Sequence, residues 1–161
     1  MALYVDGAMN RDTGCEAWAS VVDASRRDVV GQYSNLFPDL TLKLVNLPVG
    51  QRVIAVALFN DVISQQVNGS ELLAFIMGLR IALYKINDEN ENISYIYSDS
   101  QTIVQWWSKS GANPKTARTM DKRKLAFIQE AITERKMFEA LGGQVIKIDG
   151  AINPADLGYH K

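Results

Sequence analysis

The sequence predicts a single α/β domain, a mixed β-sheet with helices packed on its faces. Three observations predict it. A length of 161 residues suits one domain, with a core large enough to fold without a disulfide or structural metal. The N-terminal part, up to Phe59, is a series of short apolar runs broken by polar turns, the pattern of strands. From Ser70 onward the apolar spacing shifts to a helical period, and strand-like and helix-like segments then alternate.

Taken in order, residues 2–6 (Ala2-Leu3-Tyr4-Val5-Asp6) form a short apolar strand that ends on an acid. Residues 17–24 form a second strand, Ser25 to Asp28 a polar turn, and Val29 to Leu36 a third strand. Pro38, Pro48 and Gly50 punctuate the next stretch, in which Leu40 to Leu47 and Arg52 to Phe59 are β-rich. From Ser70 to Ile86, the residues Leu72, Leu73, Phe75, Ile76, Leu79, Ala82 and Leu83 share one helix face, with Asn68 or Ser70 as N-cap. Asn87 to Asn92 is a polar break before a buried-type strand, Ile93 to Tyr97, which leads into Ser98-Asp99-Ser100. Helices follow over Gln101 to Trp107 and Met120 to Leu141, the second closing at Gly142-Gly143. Gln144 to Ile148 is the last strand, and Asn153-Pro154-Ala155-Asp156 opens a last short helix.

No repeat, low-complexity tract or linker divides residues 1–161. The net charge of −1 gives no bulk sign of a polyanionic partner. Residues 109–124, however, hold Lys109, Lys115, Arg118, Lys122, Arg123 and Lys124 against Asp121 alone. Such a run is either solvated surface or a phosphate-binding patch. The single Cys15 excludes an internal disulfide and a cysteine-rich zinc site, and suits a reducing compartment. Neither a signal peptide nor a membrane-length apolar run is read, so the expectation is an intracellular protein without a membrane partner.

Among the 18 acidic residues, four stand at element ends. Asp6 and Asp99 close apolar strands, while Glu71 and Asp156 fall in the first turns of predicted helices. Strand ends and helix N-termini are where α/β folds build sites, because apolar segments fix the backbone while the tip stays in solvent. Spacing does not establish convergence, and Asp99 is equally placed to cap the helix after it. Four converging carboxylates repel one another unless divalent cations lie between them. Magnesium, with manganese as the alternative, is the hard-oxygen ion suited to such a site. His160 is either an exposed residue or, one helical turn beyond Asp156, a group facing the site. Of Trp106 and Trp107, at least one packs in the core, and Asp149 reads as a strand-end turn residue.

Tyr4-Val5-Asp6-Gly7-Ala8, Glu71-Leu72-Leu73-Ala74, Tyr97-Ser98-Asp99-Ser100-Gln101 and Asn153-Pro154-Ala155-Asp156-Leu157 occur in this order. Together they resemble the motifs of ribonuclease H of the bacterial and eukaryotic type, including retroelement and viral domains joined to reverse transcriptase. The resemblance spans residues 4–157. It implies a five-stranded mixed sheet flanked by helices. The gap from Asp6 to Glu71 is longer than the family usually has, which places a β-rich insertion around residues 37–64. It also implies an endoribonuclease that hydrolyses the RNA strand of RNA–DNA hybrids with two Mg2+ ions, leaving a 5′-phosphate and a 3′-hydroxyl. Asp6, Glu71, Asp99 and Asp156 would be the metal ligands and catalytic acids.

Gly7, Asn68, Ser100 and Gln101 would touch the RNA strand. Lys122, Arg123 and Lys124 stand where the family's basic handle, when present, grips the DNA strand. A monomer working alone or beside a reverse transcriptase or replication machinery is implied. Three departures accompany the likeness: only Asn68 matches a polar pair before the Glu motif, the loop Asp149-Gly150-Ala151-Ile152 carries no histidine, and the last helix is short. The short ending suits a compact viral protein or a domain excised from a longer chain. Two rival readings are a nuclease of the same fold acting on DNA, of integrase or resolvase type, and a non-catalytic nucleic-acid-binding domain.

Overall fold

The computed structural model describes residues 1–10, 16–59 and 63–157; Cys15 and His160 lie outside them. Six strands form one mixed sheet: β1 (Ala2–Asn10), β2 (Glu16–Asp23), β3 (Thr41–Leu47), β4 (Gly50–Ala57), β5 (Tyr95–Ser98) and β6 (Gln144–Lys147), in the order β3-β4-β2-β1-β5-β6. The β3, β4, β2 and β1 neighbours pair antiparallel, whereas β1–β5 and β5–β6 pair parallel. The two long helices are α1 (Ile63–Asp88) and α2 (Lys122–Ala140). Among the described residues, no helix is long and apolar enough to cross a membrane.

Alternation along β1 sorts its side chains between the two faces of the sheet. Leu3 and Val5 join the main core with Ala17, Ala19 and Val21 of β2, Ile96 of β5 and the apolar face of α1. Packing is close enough that a Cβ on Gly78 would lie 2.6 Å from Val5 Cγ1. On the opposite face a smaller cluster unites Ala8, Trp18, Leu47, Ile54 and Leu157, so the terminal segment covers part of that face. Arg80 of α1 ties the helices to the long loop, reaching Asp39 at 2.8 Å and Glu130 of α2 at 2.7 Å.

Five expectations are corrected. The first strand does not end at Asp6: β1 stays paired with β2 as far as Asn10, so Asp6 lies in mid-strand. The sheet has six strands rather than five, because the β-rich stretch supplies two strands as the β3–β4 edge hairpin while the expected third strand is absent. Val29 to Leu36 is not a strand: Asp28 accepts from Val30 N at 2.9 Å and from Val53 N at 3.1 Å, and the turned chain enters a 3-10 helix over Gly31–Leu36. Helix α1 starts by Ile63, so Asn68 and Ser70 are interior residues, not caps, and Glu71 is not in the first turn. The small residues Gly69 and Ser70 mark close packing instead. A Cβ at Gly69 would lie 2.9 Å from Phe59, and one at Gly7 only 2.3 Å from the Ser70 carbonyl. Finally, the described residues contain no helix opening at Asn153; Pro154-Ala155 is a turn after a short 3-10 segment, Gly150–Ile152.

The element after β5 is helical as expected but takes a π form over Thr102–Trp107. Arg135 of α2, which is buried, donates to Val104 O and Ser108 Oγ, and Ser108 Oγ donates to Ile103 O at 2.7 Å. Asp121 caps α2 by accepting from Arg123 N at 2.7 Å and Lys124 N at 3.3 Å.

Candidate metal centre

The site lies where β1 and β5 part. Their parallel pairing runs only from Ala2↔Tyr95 to Tyr4↔Tyr97, and β5 ends at Ser98 while β1 continues to Asn10. Beyond that point, backbone groups of β1 on the β5 side have no strand to bond and take side-chain partners instead. Val5 O accepts from Asn153 Nδ2 at 2.9 Å, and Gly7 N donates to Glu71 Oε2 at 3.3 Å. The fork therefore draws α1 and the terminal loop to the same place as the middle of β1 and the end of β5.

Asp6, Glu71 and Asp99 converge there, each offering a carboxylate oxygen within 4.8 Å of the others. Asp6 and Glu71 are buried and Asp99 is half-buried. Burial first, then the negative charges of Asp99 and Asp156, push the Asp6 carboxyl from 3.8 up to about 8, while a hydrogen bond with Glu71 works against this. Three carboxyl groups gathered so closely, with burial opposing the ionisation of Asp6, form a donor set suited to a small divalent cation. The residues present thus fit a metal centre of hard oxygen ligands.

Asp156 is not within the three-residue cluster, although its charge is felt by Asp6. It follows a loop fixed at several points. Asn153 is buried, donates to Val5 O and to Asp99 Oδ2 at 3.4 Å, and accepts from Ala155 N at 3.1 Å. Gly150 stands against the acid too, since a Cβ there would lie 3.1 Å from Asp99 Oδ2. From the sheet, Ser20 Oγ donates to Ala155 O at 2.8 Å. Arg52 of β4 donates to Pro154 O at 3.1 Å and Ala155 O at 3.0 Å. Burial lowers the Arg52 guanidinium from its usual value, while Asp28, Asp156 and Asp6 pull it upward.

The residues expected to touch substrate divide sharply. Gln101 is exposed on the first turn after Asp99, Asn68 is half-buried on α1, and Lys122 and Arg123 are exposed at the start of α2. Gly7 is buried, its N–H bonds to Glu71, and a side chain there would collide with the Ser70 backbone. Ser100 is buried, and its Oγ accepts from Ile103 N at 3.3 Å, starting the π-helix. Lys124 is 0% exposed with its Nζ 5.1 Å from the Phe59 ring centroid, which removes it from any surface patch. Trp107 is buried and Trp106 is 53% exposed, separating the two tryptophans. Asp149 accepts from Ala151 N at 2.9 Å, a turn residue as expected.

Asn153 and Arg52 are the site residues that sequence reasoning misses. Asn153 stands inside a motif, but in a position that reads as the opening of a helix. Arg52 carries a signal: in Arg52-Val53-Ile54-Ala55-Val56 it shares the alternating face of buried Ile54, an unusual place for a cation on a strand. No family model, curated protein or solved structure matches the chain.

Proposed function

We propose that the chain is a metal-dependent nuclease of ribonuclease H type that hydrolyses the RNA strand of RNA–DNA hybrids. The observation that carries this reading is the meeting of Asp6, Glu71 and Asp99 at the β1–β5 fork, from elements far apart in sequence. These are three of the four acids picked out by motif, and Asp156 follows close enough to act on Asp6 electrostatically. The sheet supports the same reading in that it is mixed and has helices packed on it.

Asp6, Glu71 and Asp99 would hold the cations, Mg2+ or Mn2+, with Asp156 at the edge of the site. When bound, such ions supply charge neutralisation, an activated water and stabilisation of the leaving oxygen in phosphodiester hydrolysis. Asn153 holds the Asp99 carboxylate and the β1 backbone in fixed relation, so the ligand geometry is set before substrate arrives. Gln101, exposed beside Asp99, is placed for 2′-hydroxyl or base contacts that select RNA. Lys122 and Arg123 supply phosphate attraction from the α2 start.

Cleavage of a labelled RNA–DNA hybrid tests the proposal, with DNA duplex, RNA duplex and single strands as controls. Mg2+-dependent cutting of hybrid RNA is expected. Preferential DNA cutting would transfer the chain to the integrase or resolvase class. Binding without cutting of any substrate would make it a non-catalytic module.

A further inference from the structure

Arg52 is an arginine only 6% exposed on a strand outside every recognised motif. Its guanidinium does not face a carboxylate as its closest partner. Instead, Nη2 donates to Pro154 O at 3.1 Å, and Nη1 lies 3.0 Å from Ala155 O and 3.4 Å from Asp156 O. Nη1 also reaches Ser20 Oγ at 3.5 Å, and that hydroxyl donates to Ala155 O at 2.8 Å. Three successive carbonyls of one loop are thus gripped from β2 and β4. Turn carbonyls of this kind lack regular partners, and a planar fork of fixed donors is suited to binding several at once.

The grip bears on the metal centre through chain position. Ser20 pairs with Asp6 across β1 and β2, so both side chains stand on the same face of the sheet. Asp156 is the last residue of the gripped turn. Its carbonyl is held by Arg52, which fixes where its backbone stands relative to the sheet. Asn153 anchors the other end of the turn on Val5 O and Asp99.

We infer that Arg52 is a positioning residue for the metal centre, which seats the Pro154-Ala155-Asp156 turn so that the Asp156 carboxylate is presented beside Asp6. The inference rests on the metal-centre reading above and extends it to a strand that carries no ligand. It also gives the β3–β4 hairpin a role, since β4 delivers the cation that fixes the fourth acid.

Calorimetric titration of the full chain with Mn2+ in the absence of nucleic acid tests this. Arg52→Lys keeps the buried charge but not the fork, and is expected to weaken Mn2+ binding about tenfold while the folded spectrum is retained, as removal of an outer-shell partner does. Ser20→Ala loosens the same turn without touching a charge and is expected to act in the same direction, more weakly. It also serves if the arginine variant fails to fold. The readout that a general structural role would not move is coupling: in an Asp156→Asn background, either change is expected to alter Mn2+ affinity less than about twofold. Wild-type affinity in both folded variants, or an undiminished loss in the Asp156→Asn background, would overturn the inference. Failure of the wild-type chain to bind Mn2+ at all would instead overturn the metal-centre reading beneath it.

Discussion

Asp6 links the site to stability through its proton. Its carboxyl is raised from 3.8 to about 8 by burial and by Asp99 and Asp156, so between these values the folded chain holds a proton the unfolded chain has released. The contribution is fully present below the lower value and is lost as pH rises through the upper one. The metal-free protein is therefore expected to lose Tm from about pH 6 to about pH 8, with Asp6→Asn flattening the decline and raising Tm at the upper end. A divalent cation should reverse the loss, and should do so more strongly at high pH, where its ligands are ionised. Thermal melts in chelator and in Mg2+ measure both; a metal-free Tm that climbs over the interval would refute the assignment of cause. At the same scale, Glu71→Gln and Asp99→Asn are each expected to cut hybrid cleavage by at least ~100-fold with an unchanged circular dichroism spectrum, a loss of about 3 kcal/mol or more of transition-state stabilisation. Cleavage within a few-fold of wild type by either variant would remove that acid from the site.

Elements position these residues by packing, and the tightest approach is between β1 and α1. A Cβ on Gly7 would meet the Ser70 backbone at 2.3 Å, which cannot be relieved by rotating a side chain. Gly7→Ala should displace α1 and with it Glu71. The expected cost is roughly 2–3 kcal/mol of stability, read from denaturant unfolding, together with weakened Mn2+ binding. At the start of α2, adjacent basic residues should behave differently. Lys122→Ala with Arg123→Ala is expected to lower the slope of log affinity against log salt by about 0.9 for each phosphate that is no longer neutralised. Lys124→Ala, by comparison, should lower Tm and leave the salt slope unchanged, because its ammonium lies inside, near Phe59. A salt slope that responds to Lys124 would contradict its burial. Asn68 and Ser70 look like caps by type, yet lie inside α1, because small polar residues also permit close packing. The period of apolar residues identifies the helix; its beginning is set by neighbours the period does not describe.

For the whole molecule, chelation is expected to abolish hybrid cleavage while leaving a cooperative thermal transition, since the core of α1 against β1, β2 and β5 includes no metal ligand. Loss of the transition in chelator would mean that the metal is structural. The sequence by itself determined the α/β class, the strands β1, β2, β5 and β6, the body of both long helices and the place of Asp99 just after a strand, because periodicity and turn chemistry depend on residues near in the chain. It did not determine the 3-10 helix over Gly31–Leu36, where Asp28 bonds to distant Val53, or the pairing of β3 with β4 as an added edge. Only the tertiary structure decided that Asp6, Glu71 and Asp99 meet, that Asn153 and Arg52 hold the loop beside them, and that Gly7, Ser100 and Lys124 face inward. The reason is physical: convergence depends on the register of β1 against β5 and on where their pairing stops, and burial depends on what another element places alongside. Neither is written in the spacing of residues along one segment.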